Sequence, residues 1–187
     1  MVYFKMKIIK LITLIISISL FGCRNDKEES IVHYYKAIND GKIVSYQKID
    51  YSYASDSIKE SITIFNLKGD IIQKQSNNFI KSENGLDIII NGNKRQYLRS
   101  KKKDDCVYYK GSMGYHIRNC FIERTSYRDN KDAIKFSYSE EVTDGLNMTI
   151  YLDNNYSLID KKEIIGSGAY EELIRIDKSS IPQEISK

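Results

Sequence analysis

The sequence predicts a mainly β domain. It reads as an antiparallel meander of ten or eleven short strands, curled into a strongly bent barrel, closed or unclosed, behind one N-terminal helix. Three observations carry this. From Ser45 onward apolar residues recur with a period of two, the spacing of a half-buried strand. Turn dipeptides such as Gly69-Asp70, Asn84-Gly85, Asn91-Gly92 and Asp144-Gly145 punctuate the alternation at short intervals. The connections are also too short for parallel pairing, which needs crossovers of a dozen or more residues.

The elements follow in order. Asp26 and Glu29 stand at capping-box spacing. Ile31, Tyr34, Tyr35 and Ile38 recur at helical intervals, and Gly41 stands where a C-terminal glycine belongs. This spacing predicts an amphipathic helix over about Lys27 to Asn39. Strands are expected from Ser45 to Tyr53, Ile58 to Leu67, Ile71 to Ser76 and Leu86 to Ile90. Asn91-Gly92 between apolar residues is the strongest hairpin signal, because a type I′ turn needs positive φ at both central residues. Lys94 to Arg99, Cys106 to Lys110, Tyr115 to Tyr127, Ala133 to Glu140, Leu146 to Leu152, Ser157 to Ile165 and Glu172 to Asp177 complete the set. The tail after Ser180 reads as loose. A sheet this long must curl to bury one face and protect its edges.

The first twenty-three residues have a different logic. Lys5, Lys7 and Lys10 precede an apolar run, Leu11 to Phe21, that is too short to span a bilayer. A positive start, a short apolar stretch and a small residue before the cut make a secretory signal peptide. Leu20-Phe21-Gly22-Cys23 resembles the lipobox of bacterial lipoproteins. That resemblance implies cleavage before Cys23, diacylation of its sulfur with palmitate-like chains, and a domain held permanently at a membrane. Two acyl chains give stable anchoring where one does not. The implied location is the bacterial cell envelope, at the outer membrane, on its periplasmic or surface face. The expected organisation is a signal peptide over 1–22, a charged tether over 23–30, and one β-rich domain with its N-terminal helix over 31–187.

Charge excludes one class of partner. The chain has 29 Lys and Arg against 25 Asp and Glu. Three of the basic residues lie in the leader, which leaves 26 against 25. Near-neutrality with interspersed signs argues against nucleic acid, whose binding needs a basic patch to displace counterions. Lys101-Lys102-Lys103 is followed at once by Asp104-Asp105 and reads as a solvated loop.

Cys106 and Cys120 suggest one disulfide in an exported domain. If Ser112-Met113-Gly114 is a three-residue hairpin loop, counting back from Gly111 and Tyr115 sets Cys106 opposite Cys120. A two- or four-residue loop would shift that pairing, and two free thiols are the alternative.

Catalytic signals are weak. His33 and His116 lack the second histidine and the glutamate of a zinc helix. Gly166-Ser167-Gly168 lacks the spacing of a nucleophile elbow. Asp104-Asp105, Glu140-Glu141 and Glu171-Glu172 are adjacent pairs, and neighbours on a strand point to opposite faces. No enzyme, cofactor or metal site is expected. Fifteen tyrosines suit half-buried sheet faces and binding surfaces alike.

The strand succession, with Ile150-Tyr151-Leu152-Asp153 through Ile164-Ile165-Gly166, is similar to the lipoprotein-carrier family of the LolA/LolB type. That resemblance implies an unclosed barrel holding acyl chains. Two functions stay open. The first is a membrane-anchored, non-catalytic binding module for an apolar or amphiphilic ligand. The second is an interaction protein, such as an inhibitor, immunity or assembly factor, with a filled core and a protein partner. Ile88 and Ile90 share one face of their strand and Ile89 the other, so one of these faces should line the interior.

Overall fold

The computed structural model describes residues 29–111, 114–142, 145–164 and 170–186. Cys23 and the leader lie outside the described residues, as do Ser112, Met113 and the Gly166-Ser167-Gly168 segment. Twelve strands form one antiparallel sheet. They are β1 (Glu29–Asn39), β2 (Lys42–Tyr53), β3 (Ser57–Phe65), β4 (Ile71–Ser82), β5 (Gly85–Ile90), β6 (Asn93–Arg99), β7 (Cys106–Lys110), β8 (His116–Tyr127), β9 (Asn130–Glu140), β10 (Asn147–Leu152), β11 (Leu158–Ile164) and β12 (Tyr170–Ile176). Each strand pairs with its successor except across the β6–β7 boundary, and β1 pairs with β12. The chain ends therefore close the barrel, and the break lies halfway along the meander.

Where a helix is expected over Lys27 to Asn39, the described residues Glu29–Asn39 form strand β1, one strand more than the ten or eleven expected. It is hydrogen-bonded on both sides, with Tyr35 opposite Gln47 on β2 and opposite Arg175 on β12. The helical spacing has a physical cause. Tyr35 and Ala37 face the interior core, while Tyr34 is buried on the outer face. Burial on both faces fills successive positions and destroys the alternation that marks a one-sided strand. The aromatic and β-branched residues of this stretch also favour extended backbone. Gly41 caps no helix. Asp40 (φ 48°) and Gly41 (φ 78°) form the two-residue turn between Asn39 and Lys42, and Asn91 (φ 51°) and Gly92 (φ 74°) repeat it between β5 and β6.

The C-terminal tail is packed rather than loose. Ile181, which follows a 3₁₀ turn (Lys178–Ser180), and Ile185, within a short helix α1 (Gln183–Ser186), are buried against Tyr34 and Phe65. This covers the outer face of β1 to β3. The main core fills one half of the barrel, around Tyr35, Tyr51, Ile58, Leu98, Phe136 and Leu152. Among the described residues, all twelve strands and both apolar clusters lie within Glu29–Ser186.

Two departures from a closed barrel shape the interior. β6 and β7 form no ladder, but the Asn119 side chain on β8 donates to the Tyr97 carbonyl on β6 at 2.6 Å. β4 and β5 pair only over Phe79–Ser82 and Gly85–Ile88. From Ile71 to Asn78, β4 therefore has no ladder on its β5 side, and the wall splays open there.

Candidate functional site

The splayed half encloses a cavity of about 950 Å³. Asn91, Gly111, Leu146 and Glu171 border it at the end carrying the β5–β6 and β7–β8 turns, which we call the mouth. The opposite end is closed by the core around Tyr35, Tyr51 and Phe136. Strand alternation sorts the walls. Ile62, Ile88, Ile117, Met148 and Ile150 supply apolar surface from four strands. Gln47, Glu60, Gln75 and Asn77 supply a polar strip on neighbouring strands β2 to β4. A concave space of several hundred Å³ is large enough for a small molecule, and here apolar and polar side chains share the walls.

β5 shows how the three isoleucines are used. Leu86 and Ile88 belong to the inner core. Asp87 points the other way, to Lys94 at 3.0 Å and Arg99 at 3.0 Å. Ile88, Ile89 and Ile90 all border the cavity as the strand nears the mouth. The expected contrast between the two faces is therefore weaker at this end.

Glu60 is the charged group of the inner wall. It lies on β3 between Ile58 and Ile62, opposite Tyr51 on one side and Asn77 on the other. The Asn77 amide donates to its Oε2 at 2.7 Å. Burial raises its pKa, and the hydrogen bonds from Asn77 and Tyr51 oppose that rise. Burial raises the Tyr97 pKa as well, and Tyr97 also feels the Glu60 charge.

Behind the cavity a polar network clamps the start of β11. The Tyr35 hydroxyl donates to the Leu158 carbonyl at 2.6 Å, and the Leu158 amide donates to the Tyr51 hydroxyl at 3.1 Å. Arg175 Nε donates to the same carbonyl at 2.9 Å, and Nη2 reaches it too, while lying 3.4 Å from Asp153. Tyr53 bonds Ser157 beside them. His33 packs edge-on against Tyr51, with ring centroids 5.9 Å apart. Its pKa is pushed down to about 4, first by burial and then by the Arg175 charge, with Asp153 opposing. Tyr35, Tyr51 and Tyr53 thus serve as packing groups and hydroxyl clamps.

Cys106 and Cys120 are joined by a disulfide, with Cα atoms 4.0 Å apart. They face each other in the ladder, as the loop count requires. Gly111 and Tyr115 close the hairpin through an amide-to-carbonyl bond of 2.9 Å, and Gly114 has φ 87°.

The other candidates separate. His33 lies toward the closed end on β1 and His116 near the mouth on β8, so the fold does not unite them. Glu171 borders the cavity, while Glu172 pairs outward with Lys162 at 3.5 Å. No group of three or more His, Cys, Asp or Glu able to hold a metal occurs among the described residues. No helix among them is long and apolar enough to cross a membrane. Motif and spacing do not single out Glu60, although a signal exists. It occupies an inward phase of the Ile58–Ile62–Ile64 alternation, where a carboxylate is out of place.

No family model and no curated protein matches the chain. Among solved structures, one described as "a putative lipoprotein" from Parabacteroides distasonis is similar, with a TM-score of 0.51. It shares 10% identity and covers 80% of this chain and 94% of its own. At that identity the likeness is one of fold.

Proposed function

We propose that this protein is a lipid-anchored binding module of the bacterial envelope, which takes an apolar or amphiphilic ligand into its barrel without catalysis. One observation carries the reading: beside the core that fills one half of the barrel, the other half is a cavity of about 950 Å³ bordered by both apolar and polar side chains. The lipobox-like Leu20-Phe21-Gly22-Cys23 supports the anchor, and the likeness to a structure described as a lipoprotein is consistent with it. The anchor has a geometric consequence. Cys23 stands six residues before Glu29, where β1 begins at the closed end. Six residues reach about 20 Å at most. The membrane would lie at the closed end, and the mouth would point away from it.

The test is uptake of the apolar fluorophore N-phenyl-1-naphthylamine by a chain beginning at Arg24. Saturable enhancement, with co-purifying lipid in native mass spectrometry, is expected. A folded domain that neither takes up the dye nor carries lipid would refute the binding module. A second reading, protein interaction, is favoured by the exposed Ile43, Val44, Leu67, Ile71 and Ile72. These residues lie at the β1–β2 and β3–β4 turns, along one side of the mouth.

A further inference from the structure

Glu60 gives the cavity a chemical preference. It borders the cavity together with Asn77, Phe79 and Tyr97. Its partners are neutral: the Asn77 amide at 2.7 Å and the Tyr51 hydroxyl. No ion pair to Glu60 occurs among the described residues, although the carboxylates Asp87, Asp153 and Asp160 each have a basic partner. Sheltered charges are costly unless they are paired. This carboxyl group has two neutral donors, borders the cavity on its remaining side, and has no cationic partner among the described residues. Aromatic rings surround that space. Phe79 and Tyr97 lie with centroids 5.2 Å apart, and aromatic faces attract ammonium groups. The other charged groups bordering the cavity are Lys161 on β11 and Glu171 on β12. These two carry opposite charges, so Glu60 is left as the cavity's unbalanced acidic group.

We propose that the cavity selects amphiphiles carrying an ammonium group, which pairs with Glu60 beside Phe79 and Tyr97 while the chain lies against the isoleucine and methionine walls. This rests on the binding-module reading above. It predicts discrimination among amphiphiles of equal chain length. Protonated dodecylamine should bind more tightly than dodecanol, and dodecanoate should bind least, because Glu60 repels it.

The experiment is displacement of N-phenyl-1-naphthylamine from the chain beginning at Arg24, at neutral pH and below each amphiphile's micelle concentration. The ammonium should outcompete the alcohol by about tenfold, the ratio expected from about 1.4 kcal/mol of pairing. In Glu60→Gln the two should become equal, each measured against that variant's own dye affinity, with the thermal melt retained. Equal binding of ammonium and alcohol by the wild type would overturn the inference, whatever the variant does. An unchanged ratio in Glu60→Gln would overturn it too, since the preference would then arise elsewhere. Failure of the dye to enter the folded wild type strikes the binding-module reading itself. Uptake without preference strikes only the role of Glu60.

Discussion

Removal of one hydroxyl, by Tyr51→Phe, tests the clamp behind the cavity. Tyr51 is 1% exposed, and its ring packs in the main core. The substitution keeps that packing and deletes only the oxygen. That oxygen accepts the Leu158 amide at 3.1 Å and hydrogen-bonds Glu60. Leaving a sheltered donor without its partner costs about 1–3 kcal/mol, so about 2 kcal/mol is expected. For a chain of this size that lowers Tm by roughly 4–8 °C. Tyr35→Phe supplies an internal comparison. Its hydroxyl serves the Leu158 carbonyl, which keeps Arg175 Nε at 2.9 Å when Tyr35 is gone. Tyr35→Phe should therefore cost less, about 1 kcal/mol or below. Tyr108→Phe, at a 62% exposed position, should cost almost nothing. Thermal and urea denaturation followed by circular dichroism give all three values. A Tyr35→Phe loss equal to or larger than that of Tyr51→Phe would refute the reasoning. So would a Tyr51→Phe melt within a degree of wild type.

His33 should make stability fall with acid: its pKa is about 4 in the fold and 6.5 when free. The unfolded chain therefore binds more protons between those values, and stability drops as pH falls from 6.5 toward 4. Such a shift is worth about 3 kcal/mol in a sheltered ring; the half-buried setting lowers this to about 1–2 kcal/mol, and His33→Gln should flatten that limb in urea titrations, an unchanged slope counting against it. Glu60 acts in the opposite sense, because its raised pKa contributes stability that is lost as pH climbs through the folded value. Breaking the disulfide by Cys106→Ser with Cys120→Ser should cost about 3 kcal/mol by the chain-entropy argument, and non-reducing peptide mapping should link the two native cysteines; two freely alkylated thiols in protein from the envelope would contradict it. Cys23→Ser should leave uncleaved precursor and abolish palmitate incorporation, and labelling at the wild-type level would remove the anchor from the proposal.

The parts of the fold legible in the sequence are those set by local chemistry. Asn91-Gly92 announces its turn because few other pairs accept positive φ twice in succession. The Cys106–Cys120 pairing is the one that a three-residue loop between Gly111 and Tyr115 gives, among the loop lengths that the sequence leaves open. β1 reads as a helix because local pattern and tertiary burial conflict there. Tyr34 and Tyr35 are both buried, one beneath the C-terminal tail and one in the barrel. Adjacent buried positions suit a helix as well as a strand covered on both faces. The cover consists of Ile181 and Ile185, more than 140 residues away, in a tail that reads as loose.

The site is hidden for a related reason. Inward alternation of Ile62, Ile88, Ile117 and Ile150 is the same whether the barrel is filled or hollow. What hollows it is a pairing defect: β4 leaves β5 beyond Phe79, and no residue type marks that departure. The clamp is equally non-local, since Tyr35 and Tyr51 reach Leu158 across 123 and 107 positions. Glu60 is the exception. Its strand phase places it inside, and a carboxylate in an apolar phase is a signal that the amino-acid order itself displays. Such a residue is costly to bury unless it is paired, so its retention on the inner face needs a reason. The two neutral donors around it hold its geometry and bring no compensating charge. That is the arrangement expected if the missing partner arrives with the ligand.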